Sequence, residues 1–225
     1  MKRSQPSAAT FVLTACLVLG VTVPVASAQD AGAGNPHVTN DQSAVRKKFI
    51  AGFKRTMLNS APGDAAMLRI LVESSGAKRG VEVGTATGYG AILMGLGFER
   101  NKGELISVDI DPKMVAAARE NLQKIGLDDV VTVVEGDALK VLPALDGQFD
   151  FVYLDAVKSD YLKYFQALEP KLSPGAMIVA DNVIRSGKAM PDFFEVVRKS
   201  PDYLSTTIRS DESKQDGMMV IYKLK

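Results

Sequence analysis

The chain has 225 residues, 46% of them hydrophobic and 24% charged, with 27 Lys and Arg against 26 Asp and Glu. That composition fits one ordinary folded domain with an appended segment and excludes collagen, wholesale disorder and a multi-span membrane protein. A formal charge of +1 with no basic stripe gives no reason to bind nucleic acid, and one Cys with one His cannot build a disulfide or a four-ligand zinc site, so any metal must be held by oxygen.

The N-terminus reads as an address. Lys2 and Arg3 precede an uncharged stretch, apolar over 11–25 and closed by Ala26-Ser27-Ala28. This is the pattern of a secretory signal cut after Ala28. It divides the chain into a signal segment 1–28, a flexible lead-in 29–40 and a functional domain 41–225. The domain is then expected outside the cytoplasm, periplasmic or secreted, with no stable membrane contact once the signal is removed. Residues 8–28 are long enough for an uncleaved anchor, but Pro24 and the small-residue triplet favour cleavage. Leu13-Thr14-Ala15-Cys16 resembles a lipobox, yet the apolar run continues through Leu17-Val18-Leu19, which disfavours lipidation of Cys16. His37, the only histidine, falls in the Gly-rich lead-in and is given no role.

From Asp41 the apolar period alternates. Val45, Phe49, Phe53 and Met57 recur at helical spacing, predicting a helix over 41–58, and Met67, Leu68 and Leu71 mark a second. Short apolar runs at 81–83, 105–108, 130–134, 149–154 and 177–180 alternate with helical segments at 91–96, 112–125, 138–145 and 161–172. Asp111 as N-cap with Pro112 at the first helical position signs one helix start clearly. A helix at 192–198 and strands at 203–208 and 218–224 follow, the last two paired through the Asp216-Gly217 region. The expected fold is α/β, a Rossmann-like doubly wound sheet that is mostly parallel with an antiparallel C-terminal hairpin.

Ligands of such sheets bind beyond the carboxyl ends of the strands, so the residues ending each strand matter most. The first ends in the loop Glu82-Val83-Gly84-Thr85-Ala86-Thr87-Gly88-Tyr89-Gly90, whose glycines permit close backbone approach ahead of a helix N-terminus. Its spacing matches neither the dinucleotide fingerprint nor the P-loop. The second ends in Asp109, placed to accept ribose hydroxyls, and together they point to a nucleoside-containing ligand; the alternative is that Asp109 only caps the next helix. Two further runs end in Asp155 and in Asp181-Asn182, on strands expected to be neighbours. Three hard oxygen donors suit Mg²⁺. Lys158 would stand beside such a cation, where a neutral amine can take a proton.

These residues carry a family resemblance. Glu82-Val83-Gly84-x3-Gly88-Tyr89, Val108-Asp109-Ile110-Asp111-Pro112, Glu135-Gly136-Asp137-Ala138, Asp155-x2-Lys158-x-Asp160-Tyr161 and Asp181-Asn182 resemble the ordered motifs of the metal-dependent O-methyltransferases, the group of catechol and caffeoyl-CoA O-methyltransferases. The resemblance runs over 59–223 and implies the class I methyltransferase fold and S-adenosylmethionine as methyl donor. It places Glu82, Gly84 and Tyr89 around the donor's methionine part, Asp109 at its ribose and Asp137 with Ala138 at its adenine. Thr85, Gly88, Gly90, Ile110 and Asp155 complete the donor-binding set. It makes Asp155, Asp181 and Asn182 the Mg²⁺ ligands and Lys158 the general base, acting with Asp155 on a small catechol-type or hydroxycinnamoyl-type phenol. Monomer and homodimer both occur in the group.

The sequence also departs from the family pattern. Gly90 stands where serine is usual, Ala156 and Val157 replace larger side chains, and Ser186 replaces a proline near the acceptor. Asp211 and Glu212 are the candidates for a second contact to the acceptor. Two other readings stay open: an exported, non-catalytic protein binding a ligand or S-adenosylmethionine on the same fold, and a nucleotide-dependent oxidoreductase, disfavoured by the glycine spacing.

Overall fold

The structure is a computed structural model and describes residues 40–225. The signal segment with Cys16, and residues 29–39 with His37, lie outside the described residues.

Seven strands form one sheet: β1 (Arg79–Val83), β2 (Glu104–Asp109), β3 (Val131–Glu135), β4 (Phe149–Leu154), β5 (Leu172–Ala180), β6 (Tyr203–Ile208) and β7 (Met218–Lys223). Their spatial order is β3-β2-β1-β4-β5-β7-β6. The first five are parallel, and β7 runs antiparallel to both β5 and β6. This is the doubly wound sheet with an antiparallel end that the alternating periods predict.

Seven helices accompany it among the described residues: α1 (Asn40–Ala51), α2 (Pro62–Ser75), α3 (Tyr89–Asn101), α4 (Pro112–Lys124), α5 (Ala138–Ala144), α6 (Tyr161–Leu168) and α7 (Pro191–Lys199). Side chains alternate across a strand, so each buried strand feeds two cores. Phe151 and Tyr153 of β4 join the core beneath α2, α3 and α4, while Val152 and Leu154 join the core beneath α5, α6 and α7. Asp111 does cap α4, accepting from Lys113 N at 2.8 Å, and Asp137 caps α5 in the same way from Leu139 N at 2.9 Å.

Element bounds differ from expectation most at α1, α6 and β5. α1 stops at Ala51 rather than running to 58, because Gly52 makes the last helical bond, to Lys48 O, and the chain then turns. Phe53 still packs, its ring 5.1 Å from that of Tyr89, whereas Met57 is fully exposed. α6 stops at Leu168, where Glu169-Pro170-Lys171 forms a 3₁₀ turn: proline has no N–H to continue the helix. β5 then begins at Leu172, five residues earlier than the apolar run, with a register shift against β4 that absorbs Pro174 and Gly175.

β1 lies between β2 and β4, so the strand order reverses at its edge. Connections leave on opposite faces there and open a crevice beyond the carboxyl ends.

Candidate active site

The crevice is a cleft of about 680 Å³. Gly84, Asp109, Ile110, Asp137, Ala138, Asp155, Lys158 and Asn182, all singled out from the sequence, line it. Ala156 and Val157 line it as well. The other sequence candidates sit behind that wall: Glu82, Thr85, Tyr89, Gly90 and Asp181 are buried, and Gly88 starts α3. Asp211 and Glu212 do not face the cleft. Asp211 accepts from Gly63 N at 2.7 Å and from Ser213 N at 2.9 Å, and Glu212 is exposed. A second concavity of equal volume runs along α1, lined by Val45, Phe49 and Phe53 with Lys48, Lys54 and Asn121, and it holds no carboxylate, thiol or hydroxyl.

At the β1 end, glycine is required where the chain crosses from one strand to the next. Gly84 has φ of 101°, and a Cβ there would fall 2.2 Å from the carbonyl oxygen of Asp155. Asp109 closes this loop, accepting from Ala86 N at 2.8 Å and from Asp111 N at 2.9 Å. Its carboxylate thus braces the loop while facing the cleft. Asn59 ties the preceding segment on, accepting from Thr87 Oγ1 at 2.8 Å, and its amide nitrogen is the one buried side-chain donor without a partner among the described residues.

Beneath the loop, Ser107 donates to Glu82 and shares a hydrogen bond with Thr85. Burial pushes the Glu82 carboxyl up to about 8; the Ser107 hydroxyl opposes this, and Asp155 and Asp109 add to it. Gly90 is explained here: a Cβ would meet Glu82 Oε1 at 2.9 Å and Ser60 Oγ at 3.1 Å. Ser60 thus places a hydroxyl directly against position 90.

At the β4 and β5 ends, Asp155 N donates to Val83 O and Asp181 N to Leu154 O, so each aspartate extends its strand by one step. The two carboxylates converge. The Tyr153 hydroxyl lies 3.3 Å from Asp155 Oδ2 and 3.4 Å from Asp181 Oδ2. Lys158 Nζ donates to Asp155 Oδ1 at 2.7 Å and to Tyr161 OH at 2.8 Å, and Tyr161 in turn donates to Leu154 O at 2.8 Å. Burial first, then Asp155 and Asp181, raises the Tyr161 phenol well above its ordinary range, so it stays a neutral donor.

Sequence reasoning did not find the partners of Asp181. Lys214 Nζ lies 2.7 and 2.8 Å from its two oxygens and 2.6 Å from Asp64 Oδ2. Burial and the neighbouring Asp155 raise Asp181 to about 6, with Lys214 pulling the other way. Asp216, read from the sequence as part of a hairpin turn, is instead buried and accepts from Ile184 N, Arg185 N and Gly217 N, shaping the loop after Asn182. Two carboxylates and an amide are a hard oxygen set of the kind that suits Mg²⁺. Among the described residues there is no group of three or more His, Cys, Asp or Glu able to hold a metal. The amide of Asn182, which stands in the left-handed region at φ of 58° and lines the cleft, would be the third oxygen donor of such a set.

The family model described as O-methyltransferase matches residues 41–214. A catechol O-methyltransferase of Niastella koreensis is 37% identical over 139 residues, covering 60% of this chain and 62% of that protein. A catechol O-methyltransferase of Mycobacterium tuberculosis is 40% identical over 121 residues, 53% of this chain and 54% of that protein. The chain thus spans little more than half the length of these relatives. A solved O-methyltransferase from Bacillus cereus, in complex with SAH, shares the fold at a TM-score of 0.70 and 24% identity, covering 84% of this chain and 93% of that one.

Proposed function

The chain belongs to the O-methyltransferase family, and on that premise we propose that it transfers a methyl group from S-adenosylmethionine to a hydroxyl of a small catechol-type or hydroxycinnamoyl-type phenol. The observation that carries this reading is the placement of Asp155, Lys158 and Asn182 on the same cleft wall as Gly84, Asp109 and Asp137. Donor and acceptor chemistry then share one cleft, as an in-line displacement requires.

In this reading Asp109 accepts from the donor's ribose, Asp137 and Ala138 border its adenine, and Glu82 carries the counter-charge for its ammonium. Transfer breaks the donor's S–CH₃ bond as the phenolic oxygen forms the O–CH₃ bond, and the phenolic proton must leave. Lys158, held by Asp155 and Tyr161 at the acceptor end, is the group that takes it in this reading. Asp155, Asp181 and Asn182 would hold a divalent cation such as Mg²⁺, which when bound lowers the pKa of the phenol and orients two vicinal oxygens.

The test is methyl transfer by the full chain from labelled S-adenosylmethionine to a panel of catechols and hydroxycinnamoyl thioesters, with Mg²⁺ and with chelator. Product that is lost with chelator and in Asp155→Ala is expected. Donor binding without methylation of any acceptor overturns the catalytic reading and leaves a binding protein on this fold. The export signal at residues 1–28 belongs to the same proposal; fractionation with N-terminal sequencing is expected to find an extracytoplasmic chain beginning at Gln29, and an uncleaved cytoplasmic chain sinks it.

A further inference from the structure

Lys214 reaches the Asp181 carboxylate from a loop at the carboxyl end of β5. It sits in the 209–217 connection between β6 and β7, which is pinned on both sides of it. Asp211 accepts from Gly63 N, tying the connection to α2, and Asp216 accepts from Ile184 N and Arg185 N, tying it to the loop after β5. Between these pins the ammonium spans both oxygens of Asp181 and also touches Asp64. The contact is secluded, with side-chain exposures of 17% for Lys214, 2% for Asp181 and 1% for Asp64.

The ammonium therefore stands on the oxygens a divalent cation would need. We propose that Lys214 is a built-in cation that competes with a divalent metal for Asp181 and withdraws onto Asp64 when the metal binds. The inference rests on the divalent-cation reading of Asp155, Asp181 and Asn182. Mg²⁺ takes carboxylate oxygen at about 2.0–2.1 Å, inside the distance of an ammonium hydrogen bond, and like charges so close repel. Asp64 makes withdrawal possible. Its Oδ1 is taken by Ser210 Oγ, leaving Oδ2 for Lys214 alone, so the lysine keeps a buried counter-charge after giving up Asp181. Without metal, the lysine prevents Asp155 and Asp181 from facing each other as bare like charges. With metal, its displacement lowers the apparent affinity of the site.

The test is Mn²⁺ binding to the full chain, followed by electron paramagnetic resonance of the free ion, in wild type and in Lys214→Met. The uncharged variant is expected to bind at least tenfold more tightly. Equal or weaker binding by a folded Lys214→Met overturns the competition and leaves the divalent-cation reading standing. No binding by either protein at millimolar Mn²⁺ overturns both. Asp64→Asn supplies the independent arm. With its alternative partner neutralised, Lys214 is held more firmly on Asp181, and Mn²⁺ affinity is expected to fall severalfold; unchanged or tighter binding overturns the proposal, whatever the folding of Lys214→Met.

Discussion

Because burial raises Glu82 to about 8, its carboxyl is largely protonated at neutral pH in the folded protein, whereas in the unfolded chain it titrates near 4.5. Between those values the folded state holds a proton that the unfolded state lacks, so this group's contribution to stability falls as pH rises through that window. A bound ammonium beside Glu82 favours the ionised carboxylate, and the proton is then expelled on binding. Affinity for S-adenosylhomocysteine is therefore expected to rise with pH up to about 8 and to level off above it. Calorimetry in buffers of different ionisation enthalpy reads the released proton directly. Glu82→Gln is expected to abolish the pH dependence and to weaken binding at pH 8 by about tenfold or more; a flat profile in wild type refutes the placement. At the other end of the cleft, Lys158→Met is expected to slow single-turnover transfer by roughly 10²–10⁴ with donor affinity unchanged. Equal rates would remove Lys158 as the base. Asp155, Lys158, Asp181 and Asn182 were legible in the sequence because each ends or follows a short apolar run, a position that the parallel-sheet rule makes meaningful. Lys214, Asp64 and Tyr153 were not. Lys214 meets Asp181 and Asp64 from 33 and 150 residues away, and Tyr153 reads as one more apolar residue of β4 until its hydroxyl is placed between two carboxylates.

At the scale of elements, one contact decides where α1 sits. Arg46 donates from Nε to Ile125 O at 2.8 Å, from Nη2 to Gly126 O at 2.8 Å, and through both terminal nitrogens to Glu99. It is 7% exposed, so removing it strands a carboxylate and two carbonyls at the junction of α1, α3 and α4. Arg46→Ala is expected to cost about 3 kcal/mol in urea unfolding and to speed amide exchange in α1 selectively. The segment that follows α1 carries Leu58 to the cleft, Asn59 to Thr87 and Ser60 to Tyr153, so donor affinity is expected to fall as well. An unchanged urea midpoint counts against the anchor. Gly84→Ala tests the crossing of β1 and β4: positive φ and the 2.2 Å approach to Asp155 O are both incompatible with a Cβ. A loss of at least about 2 kcal/mol is expected from strain alone. The extent of α1 was misread because Phe53 and Met57 continue its apolar spacing. Spacing counts side chains, and the helix ended on a backbone event at Gly52 that leaves Phe53 packed by a turn instead.

For the whole molecule, the cleft lies where β1 and β2 with their loops meet β4 and β5 with theirs, so a ligand filling it bridges the two halves of the sheet. The unfolded chain has no such surface. Binding to the folded state alone stabilises by RT ln(1 + [L]/Kd), about 2.7 kcal/mol at a hundredfold excess over Kd. In a domain of this size each kcal/mol moves the melting temperature by roughly 2–4 °C, so saturating S-adenosylhomocysteine is expected to raise Tm by about 5–10 °C. In the proposed reading a divalent cation would act at Asp155, Asp181 and Asn182, at the β4 and β5 end of the same cleft. Its increment is expected to add to that of the donor, to vanish in Asp181→Asn, and to leave the donor's own shift in place there. NAD is expected to give none, because the glycine loop lacks the dinucleotide spacing. A donor shift lost in Asp181→Asn would mean that the two ligands share one cooperative site, and the division of the cleft into a donor end at β1 and an acceptor end at β4 and β5 would have to be abandoned.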